Sequence, residues 1–560
     1  MGGLMRRSTR LREASCAAPL LGSALLVAAT LAAPGSARTA QPGVKPKPRF
    51  GGTVSVALDL EPPSLNVHLG LGAPYSTSIV SDQVLASAYH DEGPAGSTVP
   101  SLAVGEPRTT AGSFSITYTI QRMARWSDGA PITARDFVFT WQLLARSKFA
   151  IPADTRALYD KIARAKILSP KRVRFVLREP LPQWKGLFGP VLPQHALAGE
   201  DFDEVWRDRI DNPKTGRPLA SGPFIFESWN RGSRLTLVRN RSYWQRKAYL
   251  DRLDFRFLLP DFGAQIRAVR AGQVDLVGGL GNVPPDDLRT SPGIRVRSGS
   301  TVEFEHIDFQ LGSKANPALK KPFVRQAIAY GIDRQSLTKA LYRAVAPGLK
   351  TDDSAIYLPF QPAYRPHWQR WSFSPTNAIR LLRAHGCRRG DDGIFSCQGE
   401  RLSFRFVSTA GSPLRERTFE LLQPQLSRIG IDLVNAFGPR QLVLGPVLSS
   451  GDWDLALFSW GYAGDPAALV DVWGCKGAHN LTGYCNAKVT ALFRKAATEL
   501  RTSRRPPLLN RADALMAGDL PTLPLFARPG YVIYNSRIRN VVWNPIDVLW
   551  NAQDWWIARP

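Results

Sequence analysis

The stretch ITYTIQRMARWSDGAPITARDFVFTW, residues 116–141, combines the signals of a strand, a turn and a helix. Apolar residues alternate with threonines over 116–120, which is the period of a half-buried strand. Asp, Gly and Pro at 128–131 predict a turn. Thr133 and Asp136 match a helix N-terminus, because a hydroxyl can accept backbone N–H groups there and an acidic residue suits the first turn. The polar residues therefore have structural explanations, and none needs to be catalytic.

The same signals alternate along most of the chain on both sides of this stretch. Strands are predicted at 53–60, 114–120, 234–239, 253–259, 402–406, 431–434 and 454–460. Helices are predicted at 133–144, 264–271, 374–386 and 414–428. Alternating strands and helices predict α/β lobes.

Length and charge limit the classes of protein that fit. The chain has 560 residues and a formal net charge of +26. Its length suggests about two to four domains. A positive balance can indicate nucleic-acid or anionic-membrane partners, but the basic residues are scattered. The densest cluster after the N-terminus, at Arg501, Arg504 and Arg505, is short, which argues against a nucleic-acid-binding arm.

The N-terminus has the pattern of an export signal. Arginines at positions 6, 7, 10 and 12 precede an uncharged run over 16–33, and Gly35-Ser36-Ala37 follows as a cleavage site. We expect a signal peptide over 1–37, a proline-rich tether over 38–48 and a periplasmic or cell-surface location, outside the cytoplasmic membrane. A retained membrane anchor is the alternative, since the run just reaches a spanning length. Either Sec or twin-arginine export fits.

Four cysteines follow the signal segment. Cys387 and Cys397 are ten residues apart, and so are Cys475 and Cys485. An even count in an exported protein favours two local disulfides. A zinc site is the rival interpretation, but neither pair has C-x-x-C spacing and only His479 lies near. We therefore expect disulfides and no metal.

Motifs of the common enzyme classes are missing from the sequence. It contains no G-x-S-x-G, no H-E-x-x-H, no G-x-G-x-x-G and no Gly-Lys pair of a phosphate-binding loop. The histidines lie apart, and acidic pairs such as Asp352-Asp353 sit among loop-forming residues. The sequence predicts a protein that is not an enzyme and needs no cofactor. A secreted hydrolase or peptidase, or a ligand-sensing receptor module, is the alternative.

Seven segments, in the same order, resemble the family 5 extracellular solute-binding proteins of ABC importers, the dipeptide- and oligopeptide-binding group. The opening stretch is the most specific of them, and the resemblance runs from residue 51 to about residue 541, nearly all of the chain after the signal segment. The other segments are GGTVSVALDLEPPSLN (51–66), ASGPFIFESWNRGSRLTLVRNRSYW (220–244), AVRAGQVDL (268–276), PFVRQAIAYGIDRQSL (322–337), GDWDLALFSWGYAGDP (451–466) and NLTGYCNAKV (480–489).

This resemblance implies a two-lobed fold of the large, peptide-binding type II class of periplasmic binding proteins. It implies that a monomer encloses a solute, most often a peptide, between hinged lobes and delivers it to permease subunits. It implies no nucleic-acid partner. Lobe I would comprise 49–74, 211–303 and 522–560. An inserted subdomain would span 75–210, and lobe II would span 304–521.

Trp460, Tyr462 and Asp465 are the best candidates for solute contacts, because they follow a predicted strand end, where α/β clefts bind ligands. Asn66, after the first strand, is a further candidate. The resemblance implies an aspartate for the peptide amino group four residues before Pro466, and Tyr462 stands there instead. Peptide, opine, sugar and metal chelate therefore stay open as solutes. For Asp465, capping of a helix that begins at Pro466 is the alternative role.

Overall fold

The computed structural model describes residues 47–58, 60–69, 74–93, 97–105, 108–110, 114–146, 148–181, 184–258, 262–280, 291–343, 346–461, 465–499 and 501–558. The predicted signal peptide and nearly all of the predicted tether lie outside these residues. No helix within the described ranges has the length and apolar character of a membrane span.

Strands and helices alternate through the described residues. The strands are β1 Thr53–Leu58, β2 Tyr89–Glu92, β3 Ser97–Pro100, β4 Arg108–Thr110, β5 Ser115–Thr119, β6 Ile162–Ser169, β7 Arg172–Leu177, β8 Asp211–Asn212, β9 Arg217–Pro218, β10 Phe224–Asn230, β11 Arg234–Arg239, β12 Arg252–Phe257, β13 Leu276–Leu280, β14 Ile294–Phe309, β15 Arg388–Arg389, β16 Phe395–Cys397, β17 Glu400–Arg401, β18 Ser403–Val407, β19 Asp432–Asn435, β20 Leu455–Gly461, β21 Thr522–Asn535, β22 Ile538–Arg539 and β23 Trp556–Ile557. The helices are α1 Pro74–Val84, α2 Ala134–Arg146, α3 Ala153–Asp160, α4 Gln194–Leu197, α5 Phe262–Arg270, α6 Pro317–Lys320, α7 Pro322–Gly331, α8 Arg334–Tyr342, α9 Pro375–Ala384, α10 Pro413–Arg428, α11 Arg440–Leu442, α12 Leu448–Ser450, α13 Val470–Trp473, α14 Ala487–Thr498 and α15 Arg505–Asp519.

Ten strands form one mixed sheet, in the order β10-β11-β12-β1-β13-β21-β14-β20-β18-β19. Its two longest strands, β14 and β21, lie near the centre and pair antiparallel over most of their length. β13 pairs with the C-terminal half of β21, and β20 pairs with the C-terminal half of β14. The two long strands therefore carry the sheet from one half of the molecule to the other.

The opening stretch folds as predicted, with β5 and α2 joined by a turn. The backbone N–H of Thr133 donates to Oδ2 of Asp136 over 2.6 Å, and the N–H of Arg135 donates to Oγ1 of Thr133 over 3.2 Å. Oδ1 of Asp136 accepts the N–H of Gln194, 2.9 Å away, which fixes the start of α4. These bonds satisfy the free donors of the helix N-terminus, so the stretch is structural.

Two large apolar cores form on the two sides of the sheet's centre. The first joins β1, α1, the four-stranded sheet β4-β5-β7-β6 and the C-terminal segment, with Val54, Phe137 and Leu549 among its buried residues. The second lies within residues 307–526. We call the half with the first core lobe I and the half with the second core lobe II. The segment boundaries given above stay predictions.

Both predicted disulfides are present in lobe II. Sγ of Cys387 bonds to that of Cys397, and Sγ of Cys475 bonds to that of Cys485. Each bond closes a local loop with a sequence separation of 10 residues. The cysteines are therefore committed to covalent bonds with each other and not to zinc.

Candidate functional site

The parallel strands of both lobes end at one place. In lobe I, β1 runs parallel to β12 and β13, and β13 ends opposite Gly530. In lobe II, β18 runs parallel to β20, which ends opposite Glu303. Gly530 itself pairs with Gly299. Open α/β sheets bind ligands outside the carboxyl ends of their strands, so this place, residues 299–305 and 527–530, is the candidate site. We call it the hinge zone.

Two glycines allow a tryptophan to lie directly against the hinge zone. A Cβ on Gly299 would stand 2.3 Å from Nε1 of Trp543, and a Cβ on Gly530 would stand 2.3 Å from the same indole ring. The pairing of β14 with β21 also shifts register between Ser300 and Phe304. The sheet is thus irregular over a short segment between the lobes, and the ring of Trp543 packs against this segment.

Trp460 lies at the hinge-zone end of β20, opposite Phe304 in β14. The residue is half-buried. The centroid of its ring lies 5.6 Å from that of Phe458 and 6.5 Å from that of His479, both at steep angles. Phe304 also packs in a cluster that contains Phe360. Phe304 is fully buried, so the rings that a solute at the strand ends could contact are those of the half-buried Trp460 and Phe360.

A second group of side chains forms a hinge charge cluster, made of Glu303, Glu305, Arg415 and Arg528. Nη1 of Arg528 lies 2.8 Å from Oε2 of Glu303, and its Nε lies 3.7 Å from Oε1 of Glu305. Nη2 of Arg415 approaches the same Glu305 oxygen to 3.3 Å. Burial alone would lower the pKa of Arg528, but Glu305 and Glu303 raise it above its ordinary value.

The hinge charge cluster reaches the ends of two lobe II strands. Nη1 of Arg415 donates to Oγ1 of Thr409, which follows β18, over 2.8 Å. Its Nη2 donates to Oγ of Ser459 in β20 over 3.4 Å. Glu305 is 1% exposed, whereas Glu303 is 38% exposed. Glu303 is therefore the carboxylate of this cluster that an incoming cation could reach.

Asp465 has structural partners. Its Oδ1 accepts the N–H of Ala467 over 3.0 Å and so caps the short helix that begins at Pro466. The same oxygen forms an ion pair with Arg505, and the side chain is 3% exposed. Oδ2 has no hydrogen-bond partner among the described residues. Capping and ion pairing thus use one oxygen, and the role of the other in solute binding stays a prediction.

The two other predicted contacts lie in different surroundings. Tyr462 lies outside the described residues. Asn66 is 2% exposed, and its Nδ2 donates to the carbonyl oxygens of Phe202 and Val205 over 3.3 and 3.1 Å. Its Oδ1 accepts the N–H of His68 over 3.1 Å. The amide of Asn66 is therefore bonded to backbone groups within lobe I, and its role in solute binding stays a prediction.

Sequence reasoning missed most of the polar residues at the hinge zone. Glu303 and Glu305 are two apart in TVEFEHIDF, which places both side chains on one face of β14. That alternation of acidic and apolar residues was the available signal. Their partners Arg415 and Arg528 lie more than a hundred residues later in the chain. No local pattern predicts such a pairing.

Comparison with known proteins places the chain among solute-binding proteins. The family description "Bacterial extracellular solute-binding proteins, family 5 Middle" matches residues 97–480. The oligopeptide-binding protein OppA of Mycobacterium tuberculosis (strain ATCC 25618 / H37Rv) is 25% identical over 505 residues, which cover 88% of this chain and 82% of that protein.

Several solved structures are similar to this one. The periplasmic EDTA-binding protein EppA has a TM-score of 0.74 at 23% identity, over 92% of this chain and 98% of that chain. The oligopeptide-binding protein AppA of Bacillus subtilis, in complex with a nonapeptide, has a TM-score of 0.62 at 20% identity, over 92% and 100%. The predicted two-lobed α/β fold is confirmed by these likenesses.

Proposed function

This chain belongs to family 5 of the bacterial extracellular solute-binding proteins, and on that premise we propose that it captures a peptide between its lobes and delivers it to the permease of an ABC importer. Proteins of this family act outside the cytoplasmic membrane, and they bind solutes without converting them. A peptide is the solute class that we propose, and sugars, opines and metal chelates are the alternatives.

One observation carries the proposal: strands from both lobes end at the hinge zone, and Trp460 lies there half-buried. A solute held at this place would contact both lobes at once, and such contacts stabilise a closed arrangement. The half-buried ring of Trp460 would supply apolar contact area for peptide side chains. The likeness to an oligopeptide-binding protein solved with a nonapeptide supports this choice of solute.

The charges of the hinge zone suggest how a peptide would be oriented. Glu303 pairs across the sheet with Gly461, the residue before Tyr462. We propose that Glu303 receives the peptide's α-amino group, because it is the accessible carboxylate beside the position where a peptide-binding relative is expected to have an aspartate. A carboxylate next to the amino group favours the ionised amine and strengthens the hydrogen bond between them.

A thermal-shift screen tests the proposal. The protein is unfolded and refolded to remove bound solute, then heated with unblocked peptides of two to six residues, and separately with sugars, opines and nickel chelates. Peptides should raise the melting temperature, because a ligand at 100 times its Kd stabilises the folded state by about 2.7 kcal/mol. Mass spectrometry should recover the peptide intact.

The outcomes separate the parts of the proposal. A shift with a sugar, an opine or a chelate alone would make the peptide assignment wrong and leave solute binding in place. Peptide cleavage without a shift would contradict the binding function itself. For the amino-group contact, Glu303→Gln should weaken an unblocked peptide about tenfold and an N-acetylated peptide hardly at all, since a charge-assisted bond contributes about 1.5–3 kcal/mol. Glu227→Gln, an exposed glutamate of lobe I, is the matched control.

A further inference from the structure

A large pocket lies beside the hinge zone. Its volume is about 820 Å³, within the size range of small-molecule sites. The N-terminal half of β14 forms one wall, and residues 538–543 form another. Phe360 of lobe II completes the lining, and it packs in the same apolar cluster as Phe304 and Trp460. An occupant of this pocket would therefore touch both lobes.

Three arginines line this pocket: Arg295, Arg297 and Arg539. Arg295 and Arg297 are two apart in β14, which places both side chains on one face of the sheet. Arg295 stands opposite Tyr534, and Arg539 follows in the short strand β22. Burial raises the pKa of Tyr534, and the positive charges of Arg297, Arg295 and Arg539 oppose that rise. The three guanidinium groups are thus directed at one place.

These arginines have no anionic partner in the described part of the chain. No carboxylate is among the described residues that line the pocket. Arg295 and Arg297 are exposed and form no ion pair there, and Nη1 of Arg539 donates to the carbonyl oxygen of Ser536 over 2.7 Å. In the hinge charge cluster, by contrast, the arginines face carboxylates. Three like charges around one cavity repel each other, and a bound anion would relieve that repulsion.

Trp543 also lines this pocket. The residue is 6% exposed, and its Nε1 has no hydrogen-bond partner among the described residues. Trp126, Trp141, Trp184, Trp460 and Trp473 share this property, but none of them is among the described residues that line this pocket. Several guanidinium groups beside an indole ring are chemistry that suits an oxygen-rich anion.

We infer that this pocket, the arginine pocket, binds a small molecule through its carboxylate or phosphate groups. Guanidinium groups recognise both, because their paired N–H donors match two oxygens at once. The site goes beyond the proposed function, since it is separate from the peptide contact at Trp460 and needs no peptide to be filled. Because its lining includes both lobes, a bound anion also favours the arrangement in which Phe360 approaches β14.

Isothermal titration with citrate and with inorganic phosphate tests the inference. Ionic strength is held constant with sodium chloride, so that general screening does not contribute. Three proteins are compared: the wild type, the double variant Arg295→Gln/Arg297→Gln, and the control Arg122→Gln/Arg172→Gln. The control removes the same charge from exposed arginines that are far from the pocket lining. Circular dichroism and the melting temperature verify that each protein is folded.

We expect the wild type and the control to bind at least one probe with equal affinity, and the double variant to bind it at least tenfold more weakly. Citrate binding alone identifies a carboxylate site, and phosphate binding alone identifies a phosphate site. If neither citrate nor phosphate binds at concentrations up to about 10 mM, the inference is overturned. A dissociation constant of about 10 mM is the weakest that a built site should have. Equal affinity in the double variant would overturn it too. If that variant is unfolded, Arg297→Gln alone gives the same test.

Discussion

The two halves of β14 differ in how their charged side chains are paired. In lobe II, Glu303 and Glu305 meet Arg528 and Arg415, and each charge has a partner of opposite sign. In lobe I, Arg295 and Arg297 line a cavity without a carboxylate among its described lining residues. One strand therefore contains both a paired and an unpaired set of charges. We expect the buried pair of Glu305 and Arg415 to determine stability, and the arginines of the cavity to determine binding.

Paired buried charges and unpaired exposed charges have different energetic consequences. Removing one member of a buried pair leaves its partner charged and desolvated, which costs several kcal/mol. Removing an exposed cation that has no partner costs little, because water already solvates it. Substitution of the buried Glu305 in the lobe II half of β14 should therefore change stability, whereas substitution of Arg295 and Arg297 in the lobe I half should change ligand binding.

The largest expected effect is that of Glu305→Gln. Glu305 is 1% exposed and Arg415 is 8% exposed, so the variant leaves a buried guanidinium without its counter-charge. We expect the free energy of unfolding to fall by about 3 kcal/mol, measured by urea denaturation. Glu227→Gln, from an exposed pair with Arg252, should change it by less than about 1 kcal/mol. Equal losses in the two variants would remove the distinction between the halves.

Gly299→Ala should have the next largest effect, because it lies at the border between the two halves. Its new Cβ would stand 2.3 Å from Nε1 of Trp543. Overpacking of this kind costs about 1–3 kcal/mol, which the same denaturation experiment measures. Gly348→Ala is the control, since no atom lies within 4 Å of its Cβ position. A loss no greater than the control's would mean that Trp543 moves away freely.

A group of neighbouring carboxyl groups in lobe I gives a pH-dependent test of how charges without partners affect stability. Asp82, Asp91 and Asp547 line a pocket of about 320 Å³ in lobe I. Burial, with repulsion from Asp547 and Asp91, raises the pKa of Asp82 to about 8, and burial raises that of Asp547 to about 6. The folded protein then binds more protons than the unfolded chain, so these groups should lower stability as pH rises from about 4 to about 8.

Asp82→Asn should make the fall of stability with rising pH less steep, because the amide of asparagine has no proton to lose in this pH range. More than a third of the surface of Asp82 is exposed to solvent, so the decline in the wild type should be much shallower than a wholly buried carboxyl group would produce. Urea denaturation at several pH values measures it. A variant with a slope as steep as that of the wild type would show that the acidic pocket does not behave as a set of unpaired charges.

The smallest expected effect on stability is that of Arg295→Gln/Arg297→Gln. Both side chains are exposed and lack ion pairs in the described structure, and removing them relieves mutual repulsion. We expect the free energy of unfolding to stay within about 0.5 kcal/mol of the wild type. A loss as large as that of Glu305→Gln would mean that these arginines stabilise the fold and would end the contrast between the halves.

Local patterns in the sequence were enough for much of the fold. The strand predicted at 234–239 is β11, and the serine and proline at 374–375 begin α9, where Oγ of Ser374 accepts the N–H of Asn377. The paired cysteines also lie where their spacing indicated. These features depend on neighbours in the chain, so a local signal exists for each of them.

The central strands and the polar part of the site depend on distant neighbours. β14 was not predicted as a strand, because Ser298, Gly299 and Ser300 interrupt its apolar alternation where the register shifts. Gly299 is required by contact with Trp543, and Glu305 is paired with Arg415. Such pairings arise only when the lobes are assembled. Trp460 could be named from the sequence because it ends a strand, but its neighbours could not.

The most direct test of the solute-binding account is calorimetric titration of Trp460→Ala with the unblocked peptide that shifts the wild type most. Trp244→Ala is the control, because Trp244 is also half-buried but lies in lobe I with its Nε1 bonded to the carbonyl oxygen of Ser221. If Trp460 contacts the solute, its loss should weaken binding at least about 30-fold, or about 2 kcal/mol, while the control binds as the wild type does. Unchanged affinity in a folded Trp460→Ala variant would contradict solute binding at the hinge zone.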